Sequence, residues 1–399
     1  MLFLVIILCV FVGLSYLVTT LSTPKVSQKA RMGGELLENF PVNDIAAVTI
    51  TSEEETVQLG KVDDHWVVKS RYNFPVDFKK LIDFVKKWKE AKIGRSFKAS
   101  EASLARMQLL PQDSETAEKE QKGTQVRLEK TDGSLIANII TGKVRENESG
   151  ASGGQYVRID DTDTVYLTDK NFNYMTKDSK GWLDKELLDI KAEDIQKVMF
   201  ANWEGNKVYT VQREKKGDDP QLLNVPEGRK SKKSELNSVM GSLASLRIED
   251  VENPEEQQTE KSKVDKLSYY LFDGTVYTLY PEKKFKDNKD VHCLRVEVAY
   301  QKPPEEDKPT DLSDATPVTD DKAKPEEEKK DKKTPEELAY EAETNNKKMS
   351  GWTYVLPKWK YENFVTNIEE LLEEKKEAPK VEKEEPKLEI QEPKVDTSE

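Results

Sequence analysis

Apolar and polar positions alternate along much of the chain with the two-residue period that is typical of strands exposed on one face. Such runs recur between residues 45 and 167 and again between residues 195 and 296. The pair Asp132 and Gly133 between two of the runs indicates a β-hairpin. In the first stretch the pattern predicts strands at residues 45–50, 57–62, 65–69, 124–129, 135–140, 156–159 and 164–167.

Apolar residues at helical spacing predict two amphipathic helices that lie on sheets. Asp77 is expected to cap the first helix, and lysines occupy the face opposite its apolar residues. A second helix is expected at residues 234–248, and a short bridging helix at residues 182–188. The apolar residues of the first helix are Leu81, Ile82, Phe84, Val85 and Trp88.

The elements after residue 190 follow the same order as those before it, which indicates an internal repeat. The run at 195–200 matches that at 45–50, and a second Asp-Gly pair at 273–274 repeats the hairpin. The predicted fold class is therefore α+β. It consists of an N-terminal transmembrane helix followed by two tandem repeats of antiparallel sheet plus packed helix, with disordered charged segments.

The first apolar run, from Leu2 to Leu21, contains no charged residue and predicts a transmembrane anchor. As a helix it would span roughly 30 Å, the thickness of a bilayer's hydrocarbon core. A cleaved signal peptide is less favoured because no small-x-small triplet follows the run. A lipoprotein signal at Cys9 would need a small residue where Leu8 stands, and a core helix would normally show a polar face.

Composition narrows the possible functions. The chain has 399 residues and a net charge of −13, and such acidity argues against binding to the phosphate backbone of nucleic acid. Cys9 lies in the apolar run and Cys293 far from it, so no disulfide framework is expected. With only two histidines, a histidine-based metal site is not expected either.

Two segments rich in Pro, Glu, Asp and Lys are predicted to be disordered, because they bury too little apolar surface to offset their ordering entropy. The predicted organisation begins with a transmembrane anchor at residues 1–22, a linker at 23–41 and a first α+β repeat at 42–189. The second α+β repeat comprises residues 190–300 and 349–374, which a disordered acidic insertion at 301–348 separates, and a disordered tail follows at 375–399.

Several of these segments together resemble the DUF4340 domain of bacterial membrane-anchored proteins, over roughly residues 40–372. They are the apolar N-terminal run, the runs at 45–50 and 60–66, the segment from Trp182 to Lys185, and the closing run from Gly351 to Pro357. The resemblance implies an auxiliary component encoded near ABC-type transport systems, including gliding-motility-like ones. It implies no established activity, so it assigns no catalytic residue.

The side of the membrane that the remainder faces is open to two interpretations. Lys25, Lys29 and Arg31 follow the apolar run and no basic residue precedes it, which favours the cytoplasm. The family resemblance implies instead that the soluble part lies outside the cytoplasm. We follow the resemblance and expect a single-pass protein of the inner (cytoplasmic) membrane with its soluble part in the periplasm or another extracytoplasmic space.

No set of residues has the types and spacing of an active site. His65 after Asp63 and Asp64 is typical of a β-turn, and adjacent His292 and Cys293 would point to opposite faces of a strand. Other weak candidates are the pair Gly142 and Lys143, the glycine loop 150–154, and three tryptophans expected in the core, Trp66, Trp88 and Trp352.

No catalytic, cofactor-binding or metal-binding residue and no cofactor is therefore predicted. The expected function is a non-enzymatic accessory or binding subunit of a bacterial envelope ABC-type transport system. Its expected partners are the membrane and other membrane or envelope proteins, and not nucleic acid. The alternatives are a stand-alone envelope scaffold or binding protein and, from a different class, a hydrolase with an unrecognised site.

Overall fold

Antiparallel β-sheet dominates the computed structural model, which describes residues 32–146, 152–204, 207–256, 259–302 and 333–374. The first sheet of this described part has nine strands in the order β4-β3-β2-β1-β6-β7-β8-β9-β5. Its strands are β1 Ala47–Thr51, β2 Thr56–Val62, β3 His65–Val68, β4 Phe74–Pro75, β5 Ile93–Lys98, β6 Thr124–Glu129, β7 Leu135–Glu146, β8 Ser152–Ile159 and β9 Thr164–Thr168.

Strand β1 lies in the interior of this sheet, and its alternate residues are apolar. Val48 and Ile50 are fully buried, and both flanking strands pair with β1 in antiparallel register. The predicted hairpin is confirmed, since β6 pairs with β7 across Asp132 and Gly133. Gly133 has a φ of 79°, a conformation that glycine adopts without a steric penalty.

The second sheet has eight described strands in the order β13-β12-β11-β16-β17-β18-β19-β15, and β10 pairs with β14 beside it. Segments that the repeat pattern matches, such as β1 and β11, hold equivalent positions in the two sheets. The strands are β10 Glu186–Leu188, β11 Ile195–Ala201, β12 Lys207–Gln212, β13 Gln221–Leu222, β14 Leu246–Arg247, β15 Asp250–Val251, β16 Lys266–Leu271, β17 Thr275–Lys286, β18 Lys289–Tyr300 and β19 Tyr354–Val355.

Helices are few and mostly short in the described part of the chain, which contains five α-helices. Two of them, Phe78–Lys89 after β4 and Lys233–Gly241 after β13, pack on a sheet through their apolar faces, as expected. The second is shorter than the predicted helix 234–248, because Leu246–Arg247 form strand β14. The helices are α1 Phe78–Lys89, α2 Glu101–Arg106, α3 Lys233–Gly241, α4 Pro335–Met349 and α5 Lys358–Glu362.

Both sheets contribute to one continuous hydrophobic core. The ring of Phe74 in the first sheet meets Trp352, just before β19, edge to face at 4.9 Å. Arg71 donates to Asp250 at 3.2 Å, so an ion pair also joins the two halves.

The predicted α+β class is wrong, because the described residues form mostly antiparallel sheet with few helices. One cause is the segment 182–188, where apolar residues at helical spacing do not form a helix. A short 3₁₀ turn at Lys180–Trp182 leads into β10 instead. Trp182 and Leu183 enter the core there, and backbone pairing of β10 with β14 replaces helical hydrogen bonds.

The predicted transmembrane helix, Leu2 to Leu21, lies outside the described residues. Within the described ranges, no helix is long and apolar enough to cross a membrane. The membrane-spanning part of the predicted fold class therefore has no support from the structure.

Helix α4 covers the last fourteen residues of the insertion 301–348 and ends at Met349, so the prediction of disorder is wrong for residues 335–348. Thr334 and Glu337 form a capping box and Pro335 opens the helix. Ala342 is buried against the second sheet, which supplies the packing that composition alone did not indicate. Residues 303–332 and the tail 375–399 lie outside the described ranges, and the predicted domain limits remain a prediction.

Candidate functional site

A groove of about 980 Å³ runs beside helix α1 and is the best candidate for a binding site. Its volume is at the upper end of the range for small-molecule sites. Its walls come from α1, from the start of the described chain, from strands β2 and β3, and from the residues after β9. The lining residues are Glu35, Val42, Asn43, Ile45, Lys61, Trp66, Phe78, Leu81, Ile82, Val85, Lys86, Lys89, Glu90, Lys92, Asp169 and Lys170. We call it the α1 groove.

The orientation of α1 determines which of its side chains face the groove. Asp77 caps the helix, as predicted, by accepting from the Lys80 backbone N–H at 3.0 Å. On the core side, the Trp88 ring stacks on Phe172 with 3.7 Å between ring centroids. That packing fixes the rotation of α1 and leaves a second stripe of side chains, which begins at Phe78, along the groove.

The end of the α1 groove near the helix N-terminus is apolar. Phe78 and Ile82 are 55% and 49% exposed, which is high for large apolar side chains on a helix that packs on a sheet. Trp66 lines the groove with them, and its carbonyl accepts from the Val76 N–H at 3.1 Å. Lys61 extends over the Trp66 ring, 5.7 Å from the ring centroid, and is the one cation lining this end.

The other end, at the C-terminus of α1, is basic. Lys86, Lys89, Lys92 and Lys170 all line it. Glu90 lies 3.8 Å from the ammonium groups of both Lys86 and Lys170, so one carboxylate serves two cations. Lys89 is exposed and has no carboxylate partner among the described residues. The basic end therefore carries positive charge that the protein does not fully neutralise.

The positive charge at the basic end also affects the pKa of Lys87, a neighbouring residue on α1. The pKa of Lys87 is lowered from its usual value, first by burial and second by the charge of Lys170. Over its whole length the groove is lined by five lysines and three carboxylates. In a chain with a net charge of −13, this makes the groove an electrostatic exception.

Backbone hydrogen bonds hold the basic end in place. Leu36 donates to the carbonyl of Ala91 at 2.8 Å, and Gly33 donates to that of Ile93 at 2.7 Å. The Lys92 N–H donates to Asp169 at 2.7 Å. The first described residues of the chain are therefore joined to the turn after α1, at the basic end of the groove.

The residues singled out in the sequence do not come together at this groove, except for Trp66. His65 is exposed, and its Nδ1 lies 2.7 Å from the Asp63 carbonyl oxygen. Asp63 and Asp64 both have positive φ and form the turn between β2 and β3. The prediction of a local turn is confirmed, and no acidic or basic side chain in the described part of the chain contacts His65.

His292 and Cys293 point to opposite faces of β18, as expected from their adjacency. The His292 ring lies 4.9 Å from that of Tyr361, whereas Cys293 is buried near the ion pair of Glu252 and Lys284. Burial, together with Glu252, raises the pKa of the Cys293 thiol to about 12. A nucleophilic cysteine needs a lowered pKa, so this environment opposes thiolate chemistry.

The glycine candidates have structural roles. Gly142 lies inside β7, where a Cβ would come within 2.1 Å of the Met107 carbonyl oxygen. Gly154 has a φ of 100° and closely approaches the Thr168 carbonyl oxygen. Residues 150 and 151 of the loop 150–154 lie outside the described residues, and its remainder belongs to β8. Trp88 is fully buried and Trp352 partly buried in the core.

Metal ligands are not clustered anywhere in the described ranges, where no group of three or more His, Cys, Asp or Glu side chains could hold an ion. The groove itself offers ammonium groups and apolar surface. Such a lining can bind and orient a ligand. It presents no nucleophile and base at hydrogen-bonding distance, which acyl or phosphoryl transfer would need.

Sequence reasoning did not find the groove residues Phe78 and Lys89, and it assigned Ile82 to the buried face of α1. The available signal was the width of the apolar stripe. At about 100° per residue, Ile82 lies about 110° from the centre of the core-facing residues. That angle places it at the flank of the helix.

Comparison with known protein families gives one match. Residues 66–267 match the family described as "Domain of unknown function (DUF4340)", which is about half of the chain. The matched range includes α1, most of the first sheet and the first strands of the second sheet. No curated protein and no solved structure matches the chain.

Proposed function

The chain belongs to the DUF4340 family, and on that premise we propose that it is a non-enzymatic binding subunit of a bacterial envelope transport system. The observation that carries the proposal is the α1 groove. It is large, partly apolar and rimmed by lysines, and its lining contains no nucleophile paired with a base. These are the properties of a site that holds a ligand without transforming it.

The link to a transport system is supported by the resemblance of the sequence to the DUF4340 family. We propose further that the protein works at the inner membrane, with its described residues on the extracytoplasmic side. Membrane contact would come from the apolar run at residues 2–21. A ligand-binding subunit held at that surface could deliver its ligand to a transporter or withdraw it from one.

Affinity capture tests the proposed association. The full chain with a C-terminal tag is purified from detergent-solubilised membranes, and an unrelated tagged protein of similar net charge serves as the control. Membrane subunits or the ATPase of a transport system should be recovered with the chain and not with the control. Recovery of the chain without any transport subunit would refute the proposal and leave a stand-alone binding protein.

A reporter fused to the C-terminus tests the proposed side of the membrane. A reporter that is active only outside the cytoplasm should give a signal, and one that is active only inside should not. The reverse result would show that the three basic residues after the apolar run determine the orientation.

A further inference from the structure

The α1 groove is polar at one end and apolar at the other. Phe78, Ile82, Lys86 and Lys89 follow one another along the groove-facing stripe of α1. From Phe78 to Lys89 the helix rises about 17 Å. Apolar side chains thus occupy the first half of this length, and the ammonium groups of Lys86 and Lys89 the second half, where Lys89 has no carboxylate partner among the described residues.

This division constrains what can fill the groove. An uncharged ligand would leave Lys89 without a counter-charge, and Lys86 and Lys170 would have only Glu90 between them. A small anion would leave the exposed side chains of Phe78 and Ile82 uncovered. A ligand with an elongated apolar part and one anionic end satisfies both halves at once.

We propose that the α1 groove binds an anionic lipid of the envelope, with an acyl chain along Phe78 and Ile82 and the headgroup at Lys86, Lys89 and Lys170. This inference rests on the proposed function in one respect, namely that the groove serves binding. It adds the chemical class of the ligand.

A protein segment fits the groove less well. An acidic amphipathic helix carries carboxylates along its whole length, whereas Lys61 is the one cation at the apolar end and already covers the Trp66 ring. Eleven residues, 22–32, separate the apolar run from Gly33 at the basic end. They span at most about 40 Å, so the basic end stays near any membrane that the run contacts.

Photolabelling of the full chain tests the inference. The probes are a palmitate that carries a diazirine on its acyl chain and the methyl ester of the same molecule, which has no charge. Labelling is carried out in nonionic detergent at pH 8, and labelled peptides are mapped by mass spectrometry. Labelling of the apolar run 2–21 serves as the internal reference for each probe.

The acid should label the peptides around Phe78 and Ile82 more strongly than the ester does. Replacing one lysine near an anionic headgroup weakens binding about 5-fold, so the double variant Lys86→Gln with Lys89→Gln should lose roughly 25-fold. Phe78→Asp should reduce labelling about tenfold or more by removing apolar contact.

Two matched variants serve as controls. Lys79→Gln removes an exposed lysine from α1 that does not line the groove, and Phe285→Asp changes a 74% exposed phenylalanine on β17. Both should label like the wild type. Far-UV circular dichroism should show that all variants keep the sheet content of the wild type.

Equal labelling of the groove by acid and ester would overturn the inference, as would labelling that the double lysine variant does not change. A transport subunit that crosslinks at Phe78 while neither probe labels the groove would show a protein occupant instead. The outcome is separable from the proposed function. Capture without labelling refutes the lipid inference alone, and labelling without capture refutes only the link to a transport system.

Discussion

Two buried tryptophans should respond differently to the same substitution. Trp88 and Trp182 are each about 1% exposed or less, and both pack near Phe84 in the core under α1. The Trp182 Nε1–H donates to the Thr176 carbonyl oxygen at 3.0 Å. The Trp88 Nε1–H is buried and meets no acceptor among the described residues.

Replacement by phenylalanine removes similar apolar volume at both sites, which costs about 1–2 kcal/mol. At Trp88 the change also removes an unpaired buried donor, whose burial costs about 1–3 kcal/mol. The two contributions nearly cancel, so Trp88→Phe should lie within about 1 kcal/mol of the wild type. At Trp182 the change breaks a hydrogen bond and leaves the Thr176 carbonyl unpaired. Trp182→Phe should therefore lose about 2–4 kcal/mol.

Urea unfolding followed by far-UV circular dichroism measures both changes, because that signal does not depend on tryptophan fluorescence. A difference between the urea midpoints reports a difference in stability when both variants have the same m value, the slope of unfolding free energy against urea concentration. Trp182→Phe should unfold at clearly lower urea than Trp88→Phe. Equal midpoints, or the reverse order, would refute the reasoning that the Nε1 partner decides the stability difference.

Three further predictions concern single residues. In a Cys9→Ser background at pH 8, Cys293 should react with a thiol reagent about 1,000-fold more slowly than a thiol of pKa 9.0. The reason is that a pKa of about 12 leaves a thiolate fraction of about 10⁻⁴, whereas a pKa of 9.0 leaves about 10⁻¹. A rate near that of an ordinary thiol would contradict this prediction. Asp77→Ala should cost about 1 kcal/mol in urea unfolding by removing the α1 cap, whereas Asp83→Ala on the exposed face should cost much less; equal losses would count against the cap. Gly154→Ala should cost about 2–5 kcal/mol, because a Cβ would lie 1.9 Å from a carbonyl oxygen of the neighbouring strand at a φ of 100°, and a loss below about 1 kcal/mol would be inconsistent with that contact.

Interior strands and hairpins of this fold could be predicted from the sequence because their buried residues are apolar and alternate with exposed ones. Val48 and Ile50 of β1 are both fully buried, and the Asp-Gly pair at 132–133 specifies its own turn. Edge strands carry no such signal. In β5, Ile93 is the one buried residue, and the strand forms through backbone pairing with β9. Its sequence, Ile93–Lys98, gave no reason to predict a strand.

Helices were misjudged where tertiary contacts decide. The run after Trp182 has apolar residues at helical spacing, but pairing of β10 with β14 makes it extended. Helix α4 lies in a charged segment, and its single buried residue, Ala342, is too small to reveal a packed face. In both cases the deciding partner is distant in sequence, the second sheet or a strand beyond residue 240.

The α1 groove shows why a binding site of this kind is hard to find in a sequence. Ile82 counts as one more apolar residue in the helical pattern, and Lys86 and Lys89 count as the solvated face. What separates Ile82 from its core neighbours is the rotation of α1, which the stacking of Trp88 on Phe172 fixes. Phe172 lies more than eighty residues away and after β9, so no local pattern contains that information. With that rotation, Ile82 and the two lysines lie with Phe78 on one continuous stripe of α1 that faces the groove. Its division into an apolar and a basic half is the feature from which the ligand class follows.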